Sequence, residues 1–557
     1  MHFIKDNIHG SIPLTNLERI VLNMPEVYRL HFISQMGFTK FAYPSASHTR
    51  FSHSIGVMHI AGEIYRYSLI NNKDIAKKFL MDFYDNFLKN HLNNSDKYVE
   101  IIRTLLGQHI CDMFHINFKQ EQNTQNTSET LISYFVGLQA VRLAGLLHDI
   151  GHLPFSHSSE QIVLKNIENE ISKKQKTHQY IRKKPHEYIR DLIIKEIGNR
   201  ISSTKTGEEK IIVDLIFDTV KKIFTEKKGV FLFFSNIIDG DLDADRIDYI
   251  VRDGLFTGLF GTGNSIDINR IIMTFSIYKH NQDGKYELLP GLQSLNDIEL
   301  LLYKRNKIYD FAVNHHRTRL YNGLIETLLV EKSLVSEDSE YESFRSLKNL
   351  TNILEDSING ELSDEKVSKL IELLIKLNDS VILNDLLLLA NSNLKPKEAI
   401  IARYLFHHKG RFRTLWKNVA HWRNLYKELS DEDKEKLKNL KQVMPTLPES
   451  YKIEWEGIIL FITTIYNYTR VSELRLRDIK SGEVLSNFKI GEELKSSDSI
   501  LFYAYTNIDI SDCKYKKNIT RNVFKYSLSL LSKGTSSKNL LESKIIENLK
   551  RCRKKRR

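Results

Sequence analysis

The chain has 557 residues with 81 Lys and Arg against 69 Asp and Glu, a formal net charge of +12. Seven of the positive charges fall in the last eight residues, Lys550 to Arg557, so the rest is close to balanced, which excludes a surface that is basic throughout. At 41% hydrophobic and 27% charged, the composition excludes disorder over most of the chain, and the length predicts roughly two to four domains.

Apolar runs such as Val230 to Phe234 and Gly457 to Ile462 fall short of the ~20 residues that cross a bilayer. The N-terminus, Met1-His2-Phe3-Ile4-Lys5-Asp6, has neither signal-peptide nor transit composition, so the expectation is a cytoplasmic protein with no membrane partner. Cys111, Cys513 and Cys552 are too scattered for a disulfide framework or a thiolate metal site. A bound metal would therefore take His and carboxylate ligands.

In chain order, the first histidine cluster is Ser47-His48-Thr49-Arg50-Phe51-Ser52-His53-Ser54, followed by apolar residues at helical spacing through Ile55, Met58 and Ile60. Arg50 and His53 are three apart and share a helix face, where a phosphate binder can stand beside a metal ligand. Lys119 to Glu129 predicts a surface loop. Leu138, Val141, Ala144 and Leu147 predict a buried helix that ends in His148-Asp149, a glycine turn, and then His152 and His157. After a Lys-rich stretch, Ser172 to Lys184, Pro185 marks a helix start with His186 next to it. In Asp241 to Asp253, a helix would place Asp245, Tyr249 and Asp253 on one face, with Ala244, Ile247 and Val251 toward the core.

His53, His148, Asp149 and Asp245 together supply two imidazoles and two carboxylates, a set suited to a hard or borderline divalent ion. Such an ion polarises a phosphoryl oxygen and lowers the pKa of water near neutral pH. His152, His157 and His186 would then serve as phosphate donors or proton-transfer groups.

From 331 to 395 the pattern is one of amphipathic helices, such as Lys366 to Leu377. Beyond Pro396, aromatic and basic residues interleave through Tyr404 to Arg413, while Ile500 to Thr506 and Asn522 to Ser529 read as short strands. The fold class expected is mainly α. The expected domains are a catalytic unit at 1–330, a helical extension at 331–395, and an α+β regulatory or oligomerisation region at 396–557 that ends in the basic tail.

The motifs Asp6-Asn7-Ile8-His9-Gly10, Phe41 to Val57, His148 to His157 and Asp243 to Asp253 resemble those of the HD-domain phosphohydrolases. Within that family they are most similar to the deoxynucleoside triphosphate triphosphohydrolases related to the sterile-alpha-motif/HD protein of animals, here over about residues 1–325 and without the sterile alpha motif. The resemblance implies a helical HD core that hydrolyses dNTPs to deoxynucleoside and triphosphate, with an activated water attacking the α-phosphorus. It implies that His53, His148, Asp149 and Asp245 ligate a divalent metal (Mn, Fe, Zn or Mg) and that His152, His157 and His186 are catalytic. Substrate contacts carried over are Arg50, Arg246, Tyr249 and Arg305 to the triphosphate, and Gln35 and Asp253 to the sugar 3′-OH. Tyr249 would also crowd a 2′-OH.

Two departures are visible. Val313 stands where the animal-type enzymes carry Tyr, and Asn23, Tyr28 and His31 replace the Asp, Gln and Arg that read a guanine activator. Partners implied are the dNTP, a nucleotide activator and further copies of the chain, as a dimer or tetramer. One alternative is an HD phosphohydrolase acting on another nucleotide or on a nucleic-acid end. Another is a nucleic-acid-binding protein with a vestigial HD site, in which the tail and the aromatic-basic segment hold phosphates and stack bases.

Overall fold

The computed structural model describes residues 2–92, 95–116, 127–155, 159–160, 184–260, 266–280, 283–329, 334–356, 362–392, 397–406, 412–443, 450–455, 458–465, 473–489, 500–511, 513–532 and 538–554. His157, the segments 119–126 and 172–183, half of the aromatic-basic segment (407–411) and the last three residues lie outside them.

The chain opens with an antiparallel hairpin, β1 (His2–Asp6) and β2 (Gly10–Leu14). Asp6 closes its turn by accepting hydrogen bonds from the amides of Ile8 and His9, each 2.9 Å long. Helix α1 (Asn16–Leu22) starts with a capping box between Thr15 and Glu18, which satisfies amide groups that a helix start otherwise leaves open. Glu18 also meets Arg142 Nε at 2.7 Å, both side chains fully buried, and so ties the N-terminal segment to the core.

Two long helices form that core, α2 (Arg50–Ile70) and α3 (Thr127–Leu147). Both are apolar on nearly all sides, the pattern of a helix packed all round rather than on one stripe. Within α3, Ser128–Leu147 is long and apolar enough to cross a membrane, contrary to the expectation that no stretch reaches that length; 94% of its apolar 18-residue window is buried inside the fold, where it serves as the core helix.

Around this pair run α4 (Pro185–Ser203), α5 (Gly207–Thr225), α6 (Val230–Ile238) and α7 (Ala244–Thr257), followed by the hairpin β3 (Ser276–Lys279) and β4 (Tyr286–Leu289). Proline at the first position of α4 and the Asp243 side chain capping α7 begin these helices as the sequence implies. Next come α8 (Leu295–Ile308) and α9 (His316–Leu329), then α10 (Glu342–Asp356), α11 (Asp364–Lys376) and α12 (Asp379–Asn391), the amphipathic run expected there.

The C-terminal region is α+β. Strands β5 (Arg413–Thr414), β6 (Ser450–Trp455), β7 (Ile458–Thr464) and β10 (Phe502–Thr506) form an antiparallel sheet in the order β5-β10-β7-β6, while β8 (Glu473–Arg477) and β9 (Val484–Lys489) pair separately. The sheet buttresses α9: Arg319 donates to the Thr464 carbonyl at 2.6 Å and Tyr505 Oη to the His316 carbonyl at 2.7 Å.

Helices α13 (Lys516–Leu531) and α14 (Lys538–Lys554) are the last elements among the described residues. Asn522 to Ser529, expected as a strand, is part of α13. Its buried residues Ile519, Val523, Phe524, Ser527, Leu528 and Leu531 recur at helical spacing, and packing on that stripe overrides the strand preference of the aromatics. The reading of the cysteines as too scattered for a disulfide framework is corrected at one pair: Cys513 and Cys552 form a disulfide with a Cα separation of 5.7 Å, because the fold brings the start of α13 against the end of α14. The basic tail, as far as Lys554, is the last turn of α14, with the Arg551 guanidinium over the Tyr515 ring.

Candidate metal centre and its cavity

Helix α2 supplies His53, the turn after α3 supplies His148 and Asp149, and α7 supplies Asp245, so four residues spread over 193 positions of sequence converge on one point. His53 Nε2 lies 2.9 Å from Asp245 Oδ1 and 3.9 Å from Asp149 Oδ2. His148 Nε2 lies 3.3 Å from Asp149 Oδ1 and 3.6 Å from Asp245 Oδ1. The ligand atoms of His53, His148 and Asp245 are all within 4.8 Å of one another, the spread of a cluster that could hold a metal ion.

Burial by itself would raise both carboxyls. The hydrogen bond from His53 outweighs it at Asp245, and the Arg50 guanidinium, which pairs with Asp149, outweighs it there; both are held well below the usual carboxylate range. Burial works against a charge on His53, but Asp245 and Asp248 hydrogen-bond its two nitrogens and push it up to about 10.

His148 is the residue that tests whether a cation fits. Its Nδ1 bonds the Gly145 carbonyl at 2.8 Å, which makes Nδ1 the protonated nitrogen and leaves the lone pair on Nε2. That Nε2 atom is buried and has no hydrogen-bond partner. A buried acceptor directed at two carboxylates is costly until a cation sits between them. The donor set therefore fits a divalent ion.

A second cluster lies alongside. Glu160 accepts from His152 Nδ1 at 2.7 Å and His186 Nδ1 at 2.9 Å, and the two rings stack with centroids 4.2 Å apart. His152 Nε2 reaches Asp149 Oδ1 at 3.2 Å, which joins the clusters. Gly151 makes this approach possible: a Cβ there would lie 2.0 Å from the His186 carbonyl oxygen, so only glycine lets the turn meet α4.

Above the centre is a cavity of about 310 Å3. Gln35, Arg50, Asp149, His152, Asp245, Tyr249 and Asp253 line it, with Tyr309, Val313, Thr318 and Asn322 from α9 and the turn before it. Gln35 Oε1 and Thr318 Oγ1 are buried there with no hydrogen-bond partner. Arg246 and Arg305 do not line it: Arg246 turns back to the Asp241 carbonyl, and Arg305 Nε donates to Tyr249 Oη at 2.9 Å, holding that ring from behind.

Three site residues escaped the sequence reading: Glu160, Asp248 and His48. Asp248 bonds His53 Nδ1 at 2.8 Å and His9 Nε2 at 2.7 Å, and takes two bonds from Arg252, which also holds Asp6. Its position three residues after Asp245 on the same helix was the available signal. His48 meets Asp253 at 2.7 Å across 205 residues, which no local pattern announces.

Behind this network His59 faces the His9 ring at 5.5 Å, and burial, followed by His9 and Arg142, lowers its pKa from 6.5 to about 3. The unfolded chain therefore binds a proton below about pH 6.5 that the folded chain refuses until far lower pH. Stability is intact above that value and lost as the pH falls toward about 3, by at most ~1.4 kcal/mol per pH unit from this group. Urea unfolding at neutral and mildly acidic pH checks this, with His59→Gln expected to flatten the dependence.

Residues 125–249, which carry His148, Asp149 and Asp245 of this cluster, match the HD domain family model. Among known proteins, the chain is similar to an uncharacterized protein of Methanocaldococcus jannaschii, 27% identical over 333 residues, 60% of this chain and 50% of the relative. It is also similar to the deoxynucleoside triphosphate triphosphohydrolase SAMHD1 of Bos taurus, 23% identical over 356 residues, 61% of this chain and 48% of that protein. The chain thus spans about half the length of these two relatives. The crystal structure of a phosphohydrolase from Bacteroides thetaiotaomicron shares the fold, with a TM-score of 0.54 at 19% identity over 91% of this chain and 99% of that one.

Proposed function

We propose that the chain is a metal-dependent hydrolase of deoxynucleoside triphosphates that releases deoxynucleoside and triphosphate. The observation that carries the reading is the cavity itself: Asp149 and Asp245, two of the four candidate ligands, form part of its wall together with groups able to bind a sugar. His53, His148, Asp149 and Asp245 would hold the ion, which when bound polarises a phosphoryl oxygen and makes water more acidic.

In the reaction, the water oxygen bonds the α-phosphorus, the bond to the 5′ oxygen breaks, and that oxygen takes up a proton. Glu160 fixes the Nδ1 proton of His152, so His152 Nε2 is the atom set to carry a proton at the cavity wall. Gln35 and Asp253 would bind the 3′-OH. Tyr249, braced by Arg305, presents a fixed ring where a 2′-OH would lie. His157, carried over as the in-line catalytic residue, and assembly as dimers or tetramers under a nucleotide activator belong to the same reading.

The test is incubation of the purified chain with Mn2+ or Mg2+ and each dNTP and NTP, singly and in mixtures, with triphosphate release as the readout. Release from dNTPs in preference to NTPs supports the reading. Turnover of a different phosphate ester, with none from any dNTP, would replace it with another HD phosphohydrolase activity.

A further inference from the structure

We infer that Asp379, in the first turn of α12, is a positioning residue that sets the width of the cavity by holding two of its walls with one carboxylate. The inference rests on the reading of the cavity as a nucleotide site.

Asp379 is 2% exposed, and its two oxygens go to different parts of the chain: Oδ2 accepts from the Ser34 amide at 2.9 Å and Oδ1 from the Phe155 amide at 2.8 Å. Each amide belongs to a wall. Ser34 precedes Gln35, Met36 and Gly37, all in the lining; Phe155 is itself in the lining and follows His152. The first wall is also wired to the start of α2, since Gln35 N donates to the His48 carbonyl at 3.0 Å and Arg50 N to the Ile33 carbonyl at 2.9 Å. The second is braced by Arg29, which donates to the Ile150 and His152 carbonyls at 2.9 and 2.6 Å.

The Phe155 bond has a particular task. Among the described residues, Phe155 is the one non-glycine with positive φ, at 55°. A bulky L-residue leaves that region unless its surroundings hold it, and retained strain of this kind gathers at functional sites. Its ring stacks on Phe38 at 4.3 Å, and its amide is fixed by Asp379. A carboxylate is needed because both contacts are with N–H donors; an amide side chain of the same shape would turn its own NH2 toward one of them. The stretch 331–395 thereby gains a role in the site, reaching 345 and 224 residues back along the chain to do so.

The experiment compares wild type with Asp379→Asn, with Asp379→Ser as a second variant should the first not fold. The expected result is unchanged metal content, since none of the four candidate ligands lies on either held segment. KM for the preferred dNTP rises and kcat/KM falls on the order of 10- to 100-fold, the range for loss of a residue that orients others. Amide exchange quickens in peptides spanning 33–36 and 153–155 but not in α3. A merely structural role would lower the melting temperature without moving KM apart from kcat at temperatures well below it. A folded variant with wild-type KM and kcat, or with wild-type exchange at those amides, overturns the inference. If wild type releases triphosphate from no dNTP, the functional reading fails instead, and the exchange comparison still decides whether Asp379 holds the two walls.

Discussion

Replacing His148 by alanine is expected to abolish turnover, with a loss of about 10³-fold or more, and to remove the bound metal. The lone pair on Nε2 of this residue is buried and unpartnered, and it faces Asp149 and Asp245 at 3.3 and 3.6 Å. Without it, a cation in the cluster keeps one imidazole and two carboxylates. Asp149→Ala should do the same, but it also takes away the carboxylate that faces Arg50 and His152, so its stability must be measured beside its activity. Metal analysis of the purified variants and triphosphate release under saturating Mn2+ are the two readouts. Full turnover in a variant depleted of metal would falsify the proposed centre.

The second large effect is expected at Asp248, which neither lines the cavity nor is one of the four candidate ligands. Its Oδ2 holds the Nδ1 proton of His53, so that Nε2 is the nitrogen presented to Asp245 and Asp149, and Arg252 neutralises it from the other side. Burial opposes its charge, yet Arg252, His53 and His9 hold its carboxyl well below the usual range. Asp248→Asn is expected to weaken metal affinity about 10- to 100-fold, because the ligand imidazole loses the partner that fixes its tautomer and orientation. It should also destabilise the fold by up to about 3–5 kcal/mol, the cost of leaving Arg252 in a buried pair without its full counter-charge. There is no room to compensate with a longer acid: Gly56 packs so closely that a Cβ there would lie 1.9 Å from Asp248 Oδ1. Metal titration followed by thermal melting separates the two effects, and wild-type affinity in the folded variant would remove Asp248 from the account.

Much of the candidate site was legible because the residue types it gathers stand in local patterns. Arg50 and His53 on one helix turn, His148-Asp149 at the end of an apolar helix, and Asp245, Tyr249 and Asp253 four apart are short-range features, and helical periodicity fixes which side chains share a face. The same holds for the helices at 331–395 and for the proline that opens α4. The strand expected at Asn522 to Ser529 failed for the converse reason: strand preference of aromatic residues is weak beside the packing of a helical stripe, and what the stripe packs against is not local.

Residue types and their order already specify the raw materials: few cysteines, abundant histidine beside carboxylates, and a mainly helical chain to carry them. The tertiary structure alone decided which groups meet. Glu160 joins His186 across 26 residues, Asp248 meets His53 across 195, Cys513 finds Cys552, and Asp379 spans two walls of the cavity from a helix far down the chain. Such pairs have no period to read. They are set by how buried helices pack against one another, and each survives because a charge or amide removed from water must find its partner inside the protein.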